Sequence, residues 1–397
     1  MGIAIGSNAL TDFHPGVTAR EPVRTNRITS LDITRGMVMI LMAIDHVRVY
    51  AGVPAGGPPA PVFFTRWVTH FAAPAFALLA GTGAYLLGRR LATPGALARH
   101  LVLRGLLLIA LELTVLRLAW TFNTDFAHYN LAGVLWMLGW CMILMAGLVW
   151  LPATVVGAIG VCIIVGQGVF GPIASALPNP LGSFLYLGGF TQIGSMPIGV
   201  LYVIVPWIGV MAAGYGFGRV MELPSDERRR VCLRLGLALT AAFLVLATID
   251  VARQSATEDA PPALFRLLNQ RKYPASPLFL LMTLGPTLMF IAAAERMRGR
   301  VADVIATFGR VPLFFYLLHI PLIHALAVVV SVIREGAVNP WLFGNHPFAP
   351  PPVPAGYRWS LWLLYLVFAI AVALLYVPCR WFARVRSADK TGLLRFL

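Results

Sequence analysis

Apolar runs of roughly twenty residues recur from residue 31 almost to the end of this 397-residue chain, and they restrict its fold more than any other feature. A helix rises about 1.5 Å per residue, so about 20 apolar residues cross about 30 Å of hydrocarbon. Ten such runs can be read: 31–52, 66–88, 101–120, 131–150, 152–172, 197–219, 231–250, 277–294, 306–333 and 359–383. The fourth and fifth are separated only at Pro152, as in a tight helical hairpin. Only 12% of the residues are charged, about half the share of a soluble domain. The expected fold class is therefore all-α, a polytopic integral membrane helical bundle of about ten transmembrane helices. The expected organisation is an N-terminal cytoplasmic segment (1–28), one transmembrane domain (29–386) and a cytoplasmic tail (387–397).

The charges orient the spans. Net charge is +15, carried by 29 arginines and only two lysines, Lys272 and Lys390. Arg20, Arg24 and Arg27 precede the first run; Arg89, Arg90, Arg99 and Arg104 follow the second; Arg219, Arg228, Arg229, Arg230 and Arg234 follow the sixth. Arg296, Arg298, Arg300 and Arg310 follow the eighth, and Arg380, Arg384, Arg386, Lys390 and Arg395 follow the tenth. With ten spans these connections share one side, and 121–130 and 173–196 on the other side carry no Lys or Arg. The positive-inside bias then places both termini in the cytoplasm. Two outer connections depart from it: 251–276 holds Arg253, Arg266, Arg271 and Lys272, and 334–358 holds Arg334 and Arg358. No basic patch interleaves with aromatics in a soluble stretch, so nucleic acid is not an expected partner. Cys141, Cys162, Cys232 and Cys379 lie in or beside apolar runs without CxxC spacing, as small apolar residues do. The first 30 residues lack a hydrophobic region of signal-peptide length, so the first span is expected to act as its own insertion signal. Helical spans, in place of a barrel, point to a bacterial inner membrane.

Ionisable side chains inside a span cost a few kcal/mol each and usually face a cavity or a partner. The first span, LDITRGMVMILMAIDHVRVY, holds five: Asp32, Arg35, Asp45, His46 and Arg48. Arg35 and His46 are 11 residues apart, about three turns, and share a face about 16 Å apart along the axis. Arg35 is expected near the cytoplasmic mouth and His46 in the outer half. The blander roles are a snorkelling Arg35, an N-capping Asp32 and a histidine satisfied in a helix contact. His70, one turn inside the second span, can reach the same outer pocket as His46. Glu112 is a mid-span carboxylate with Arg117 or Arg104 as candidate partners. The connection WTFNTDFAHYN offers Trp120, Asn123, Asp125, His128 and Tyr129, polar groups among aromatics that could hold a sugar-like acceptor or form an ordinary interfacial belt. Arg271 and Lys272 could bind an anionic group or touch headgroups. His319 and His324 in the ninth span are five residues apart, which does not suit a metal clip on one helix face; no metal is expected. No P-loop, GxGxxG, HExxH or GxSxG stands in a usable context.

The stretches SLDITRGMVMILMAIDHVR and FTRWVTHFAAPAFALLAGTGAYLLGRR resemble the bacterial relatives of the heparan-α-glucosaminide N-acetyltransferase catalytic domain. The likeness continues through RLAWTFNTDFAHYN, VPWIGVMAAGYGFGR, RKYPASPLFLLMTLGP, FGRVPLFFYLLHIPLIH and PCRWFARVRS, from about residue 27 onward. The LD-x-x-RG start and the R-x10-H spacing are also similar to acyltransferase type 3 proteins. The resemblance implies transfer of an acetyl or other acyl group from cytoplasmic acyl-CoA to a hydroxyl or amine, usually of a sugar, on the outer side. Acyl-CoA would be a co-substrate, and no tightly bound cofactor is implied. It also implies a catalytic histidine in the first spans, which falls on His46 with Asp45 beside it and His70 as rival. On this reading Arg35, Arg104 and Arg310 hold the donor's phosphates. Asp32, Arg48, Trp120, Asn123, Asp125, His128, Arg271, Lys272 and His319 contact the acceptor. The lipid bilayer is the remaining partner, and a homodimer is allowed. A transporter or flippase of a polar lipid or saccharide would use the same buried charges as a path; the absence of a visible inverted repeat weighs against it.

Overall fold

The structure is a computed structural model, and it describes residues 27–57, 59–127, 129–254 and 260–389. The 387–397 tail beyond Asp389, the 1–26 segment and His128 lie outside the described residues. The protein is an all-α bundle. Its helices are α1 (Thr29–Tyr50), α2 (Ala60–Trp67) running through a 3-10 turn into α3 (Ala72–Gly88), α4 (Pro94–Leu111) and α5 (Arg117–Thr121). They continue with α6 (Val134–Leu148), α7 (Ala153–Gly166), α8 (Phe170–Ala176), α9 (Val205–Phe217) and α10 (Ser225–Arg253). The last five are α11 (Ala263–Leu268), α12 (Pro277–Ala294), α13 (Arg300–Arg310), α14 (Pro312–Glu335) and α15 (Leu361–Ala388).

Among the described residues, six helical stretches are long and apolar enough to cross a membrane: 60–88, 153–176, 225–253, 277–294, 312–335 and 361–388. The other expected spans fall short for physical reasons. α1 carries the buried charges already noted, and α6 and α9 have 15 and 13 residues. α4 is continued by a π-turn at Glu112–Leu116 before α5. The run expected at 197–219 is only partly helical: β2 (Gly189–Ile193) and β3 (Met196–Val200) form a hairpin, and β3 also pairs in parallel with β1 (Leu131–Ala132). The run at 306–333 breaks at Val311, where Pro312 starts a new helix. α13, before the break, is amphipathic: Val301 is 71% exposed while Ile305, Ala306 and Phe308 are buried.

Burial sorts the helices into an inner and an outer set. The windows of 60–88 and 277–294 are 61% buried, those of 153–176 and 225–253 only 17%. Small residues allow the inner helices to touch backbone to backbone. A Cβ at Gly36 would lie 1.9 Å from the Ile305 carbonyl oxygen, and one at Gly309 would lie 1.8 Å from that of Asp32. α13 therefore sits against α1 at the level of Arg35.

Polar contacts gather at two ends. Ser30, Ser225 and Arg228 converge on Glu295 at one end, together with Arg89–Glu222 and Arg386–Arg310. Tyr50–Trp120, Asn123–Phe343, Tyr357–Tyr50 and Arg334–Tyr357 lie at the other.

Candidate active site

At the arginine-rich end a cavity of about 920 Å³ opens between α1, α3, α4, α6 and α14. Its mouth is lined by Arg27, Arg35, Arg90, Arg104, Arg310, Arg386 and His100; its depth is apolar, with Met39, Leu101, Leu108, Leu135, Leu138 and Leu313. Asp32 balances part of that charge by pairing with Arg27 and, at 3.3 Å, with Arg35. Arg35 also donates to the Gly309 carbonyl at 3.1 Å, a contact that exists because the two glycines let α1 and α13 approach. Arg386 Nη1 donates to the Arg310 carbonyl at 2.8 Å. Asp32 is thereby held at this mouth, about four turns of α1 away from His46.

Tyr316 is among the residues that line the cavity. Its ring meets His319 edge-on at 5.1 Å, and beyond it stands a pair of imidazoles. His46 Nδ1 and His319 Nε2 are 2.6 Å apart, with the rings stacked at 4.8 Å. His319 Nδ1 lies 2.6 Å from the Tyr316 carbonyl oxygen. A carbonyl only accepts, so this Nδ1 carries the hydrogen. In a neutral pair His319 Nε2 is then a lone pair, His46 Nδ1 donates to it, and His46 Nε2 is left as a free base. The carbonyl oxygen of Phe315, one helical turn earlier, lies 3.2 Å from His319 Nδ1. Trp120 closes the far side of His46, edge to face at 5.1 Å.

Asp45 does not orient His46. It pairs with Arg48 at 2.8 Å and Arg66 at 3.5 Å, on the flank that one residue of helical rotation predicts. His70 is 8% exposed, meets Phe279 edge-on at 5.5 Å, and its Nδ1 has no hydrogen-bond partner. Lys272, also 8% exposed, faces the rings of Tyr202 and Tyr273. Arg271 is exposed, and its carbonyl accepts from Ser276. Asn123 and Asp125 serve the loop itself: Arg117 donates to the Asn123 side chain at 3.0 Å and also to the Asp125 carbonyl. Glu112 pairs with neither Arg104 nor Arg117. It accepts from the Leu135 and Trp136 amides, capping α6 across the chain. His324 faces away from His319, stacking on Phe122 at 3.9 Å.

Sequence reasoning missed the His46–His319 contact, because 273 residues separate them and nothing local pairs them. It also missed Arg90, His100 and Arg386 at the mouth and Arg66 at the far end. Arg66 carried a usable signal, being a buried cation at the outer end of a span, where the positive-inside bias disfavours it.

A family model described as heparan-alpha-glucosaminide N-acetyltransferase, catalytic, matches residues 27–251, more than half the chain and all of the first seven expected spans. The chain belongs to that family. The match includes Arg35, His46, His70 and Arg104, while His319 and Arg310 fall beyond it. A comparison with characterised proteins finds no match. Membership makes the protein a multi-pass membrane protein of acetyltransferase type.

Proposed function

We propose that the protein moves an acetyl or other acyl group from cytoplasmic acyl-CoA to a hydroxyl or amine of a sugar-like acceptor on the opposite side of the membrane, with ten spans and both termini cytoplasmic. The carrying observation is the cavity itself. Its mouth presents six guanidinium groups and its depth is apolar, the order of polarity along coenzyme A from phosphates to pantetheine. Arginine forks match phosphate oxygens bidentately. The axial distance from Arg35 to His46, about 16 Å, is one an extended pantetheine arm can cover.

His46 Nε2 is the base. The acceptor's lone pair attacks the thioester carbonyl while Nε2 takes its proton. The carbon–sulfur bond breaks, and the thiolate leaves with the proton returned from the imidazolium. The products are the acylated acceptor and free coenzyme A. His319 acts as a positioning residue, fixing the tautomer that leaves Nε2 unprotonated. The ring of Tyr316 stands between cavity and base, so a turn of that side chain admits the thioester.

The test uses purified protein, labelled acetyl-CoA and a panel of amino and hydroxyl sugars, with coenzyme A release as the readout. His46→Ala is expected to lower release about 10³-fold, and His70→Ala far less. Release that ignores His46→Ala, or no release with any acceptor, sinks the proposal.

A further inference from the structure

The far end of the bundle carries a charge imbalance that the transfer described above leaves unused. Asp45 is its carboxylate, paired with Arg48 and Arg66. Arg48 is otherwise satisfied, its Nη1 donating to the Val53 carbonyl at 2.7 Å. Arg66 is only partly so: its side chain is 15% exposed and within reach of the Tyr273 phenol, but Nε meets Asp45 only at ion-pair distance and, among the described residues, neither Nε nor Nη1 has a hydrogen-bond partner. Lys272 adds a third cation, 8% exposed and held over the rings of Tyr202 and Tyr273, the same phenol that Arg66 reaches. Three cations therefore face one carboxylate. The phenol of Tyr273 registers the excess. Burial alone would raise its pKa, but Lys272 and Arg66, together with the hydrogen bond to Tyr202, hold it below the ordinary value of 10.0. An uncompensated buried charge costs several kcal/mol, and orphaned donors add to that. One ligand resolves both, an oxyanion seated against Arg66 and Lys272.

We propose that Arg66 and Lys272 form a binding site for an oxyanion, carboxylate, phosphate or sulfate, borne by the acceptor and holding its nucleophilic group beside His46. The assignment rests on the transfer reaction proposed above. A soluble sugar and a lipid headgroup could both present this chemistry, and the experiment separates them.

Protein is reconstituted in phosphatidylcholine nanodiscs and its melting temperature followed against inorganic phosphate. A parallel sample uses discs containing phosphatidylglycerol without phosphate. Phosphate is expected to raise the melting temperature of the wild type. Lys272→Met and Arg66→Gln are each expected to weaken phosphate's apparent affinity at least about tenfold. Both are also expected to melt higher than wild type in phosphate-free phosphatidylcholine discs, because each removes an uncompensated buried charge. Arg253→Gln, on the exposed end of α10, should match wild type throughout. Stabilisation by phosphatidylglycerol alone, lost in the same two variants, keeps the site and makes the oxyanion lipid-borne. Variants that melt lower while responding to phosphate as wild type does would make the two cations merely structural and overturn the proposal, as would no response to either anion. Coenzyme A release is then compared for glucosamine and its 6-phosphate. A wild-type preference for the phosphate that disappears in Arg66→Gln supports the acceptor assignment. Release that needs His46 but favours neither sugar overturns that assignment and leaves the transfer standing. Phosphate binding without any release does the reverse.

Discussion

Two residues decide whether the imidazole pair is chemistry or packing. If His319 only fills space, an apolar residue of similar size should serve; if it fixes the tautomer of His46, the replacement must accept a hydrogen bond. His319→Leu is expected to lower coenzyme A release about 10²-fold. His319→Gln, whose amide oxygen can accept from His46 Nδ1, should recover part of the loss and keep the wild-type pH profile. Equal losses in the two variants would return His319 to a structural role. Glu295 permits a separate residue-scale prediction, outside the membrane. Burial alone would raise its pKa, but hydrogen bonds from Arg228, Ser30 and Ser225 outweigh burial and hold it below the ordinary 4.5. A lowered folded value means its stabilisation is complete above that ordinary value and is lost as pH falls through the lowered one. Hydrogen exchange at the starts of α1 and α10 should therefore quicken below about pH 4.5. Glu295→Ala should cost about 3 kcal/mol at neutral pH, where it leaves Arg228 half-buried and unpaired.

At the scale of elements, the glycines between α1 and α13 tie helix packing to the donor mouth. Gly36→Ala forces a methyl into the Ile305 carbonyl, and the helices must separate. Such overpacking costs about 1–3 kcal/mol. It also stretches the Arg35–Gly309 bond, so the KM for acyl-CoA should rise while the affinity for phosphate at the far end stays constant. A rise in both would mean that the whole bundle had loosened. The element scale is also where the sequence was most and least legible. Hydropathy located every long helix because lipid demands it of the residues themselves. It could not see the break at Val311, since the apolar pattern runs on through Pro312. It read 197–219 as one span because a buried hairpin strand and a buried helix have the same composition. Of the candidate site, Arg35 and His46 were readable from one helix's periodicity. Their partners on α13 and α14, Gly309 and His319, were not, because they are brought in by packing between segments 274 and 273 residues apart.

At the scale of the molecule, the end-sorting of connections predicts membrane sidedness. In a variant whose exposed Cys162 is replaced by serine, a cysteine at Arg219 should react with an impermeant maleimide only from the cytoplasmic face. One at Arg358 should react only from the opposite face. Labelling of both from one side would remove the ten-span arrangement. The wall of rings between the two mouths has a further consequence. Tyr316, His319, His46 and Trp120 touch in sequence, from 4.8 to 5.1 Å between centroids, and so place a stack of rings beyond the cavity. A protein with ionisable groups strung through the bilayer would ordinarily bleed a proton gradient. The stack predicts instead that sealed vesicles holding this one keep an imposed pH gradient as long as empty vesicles do.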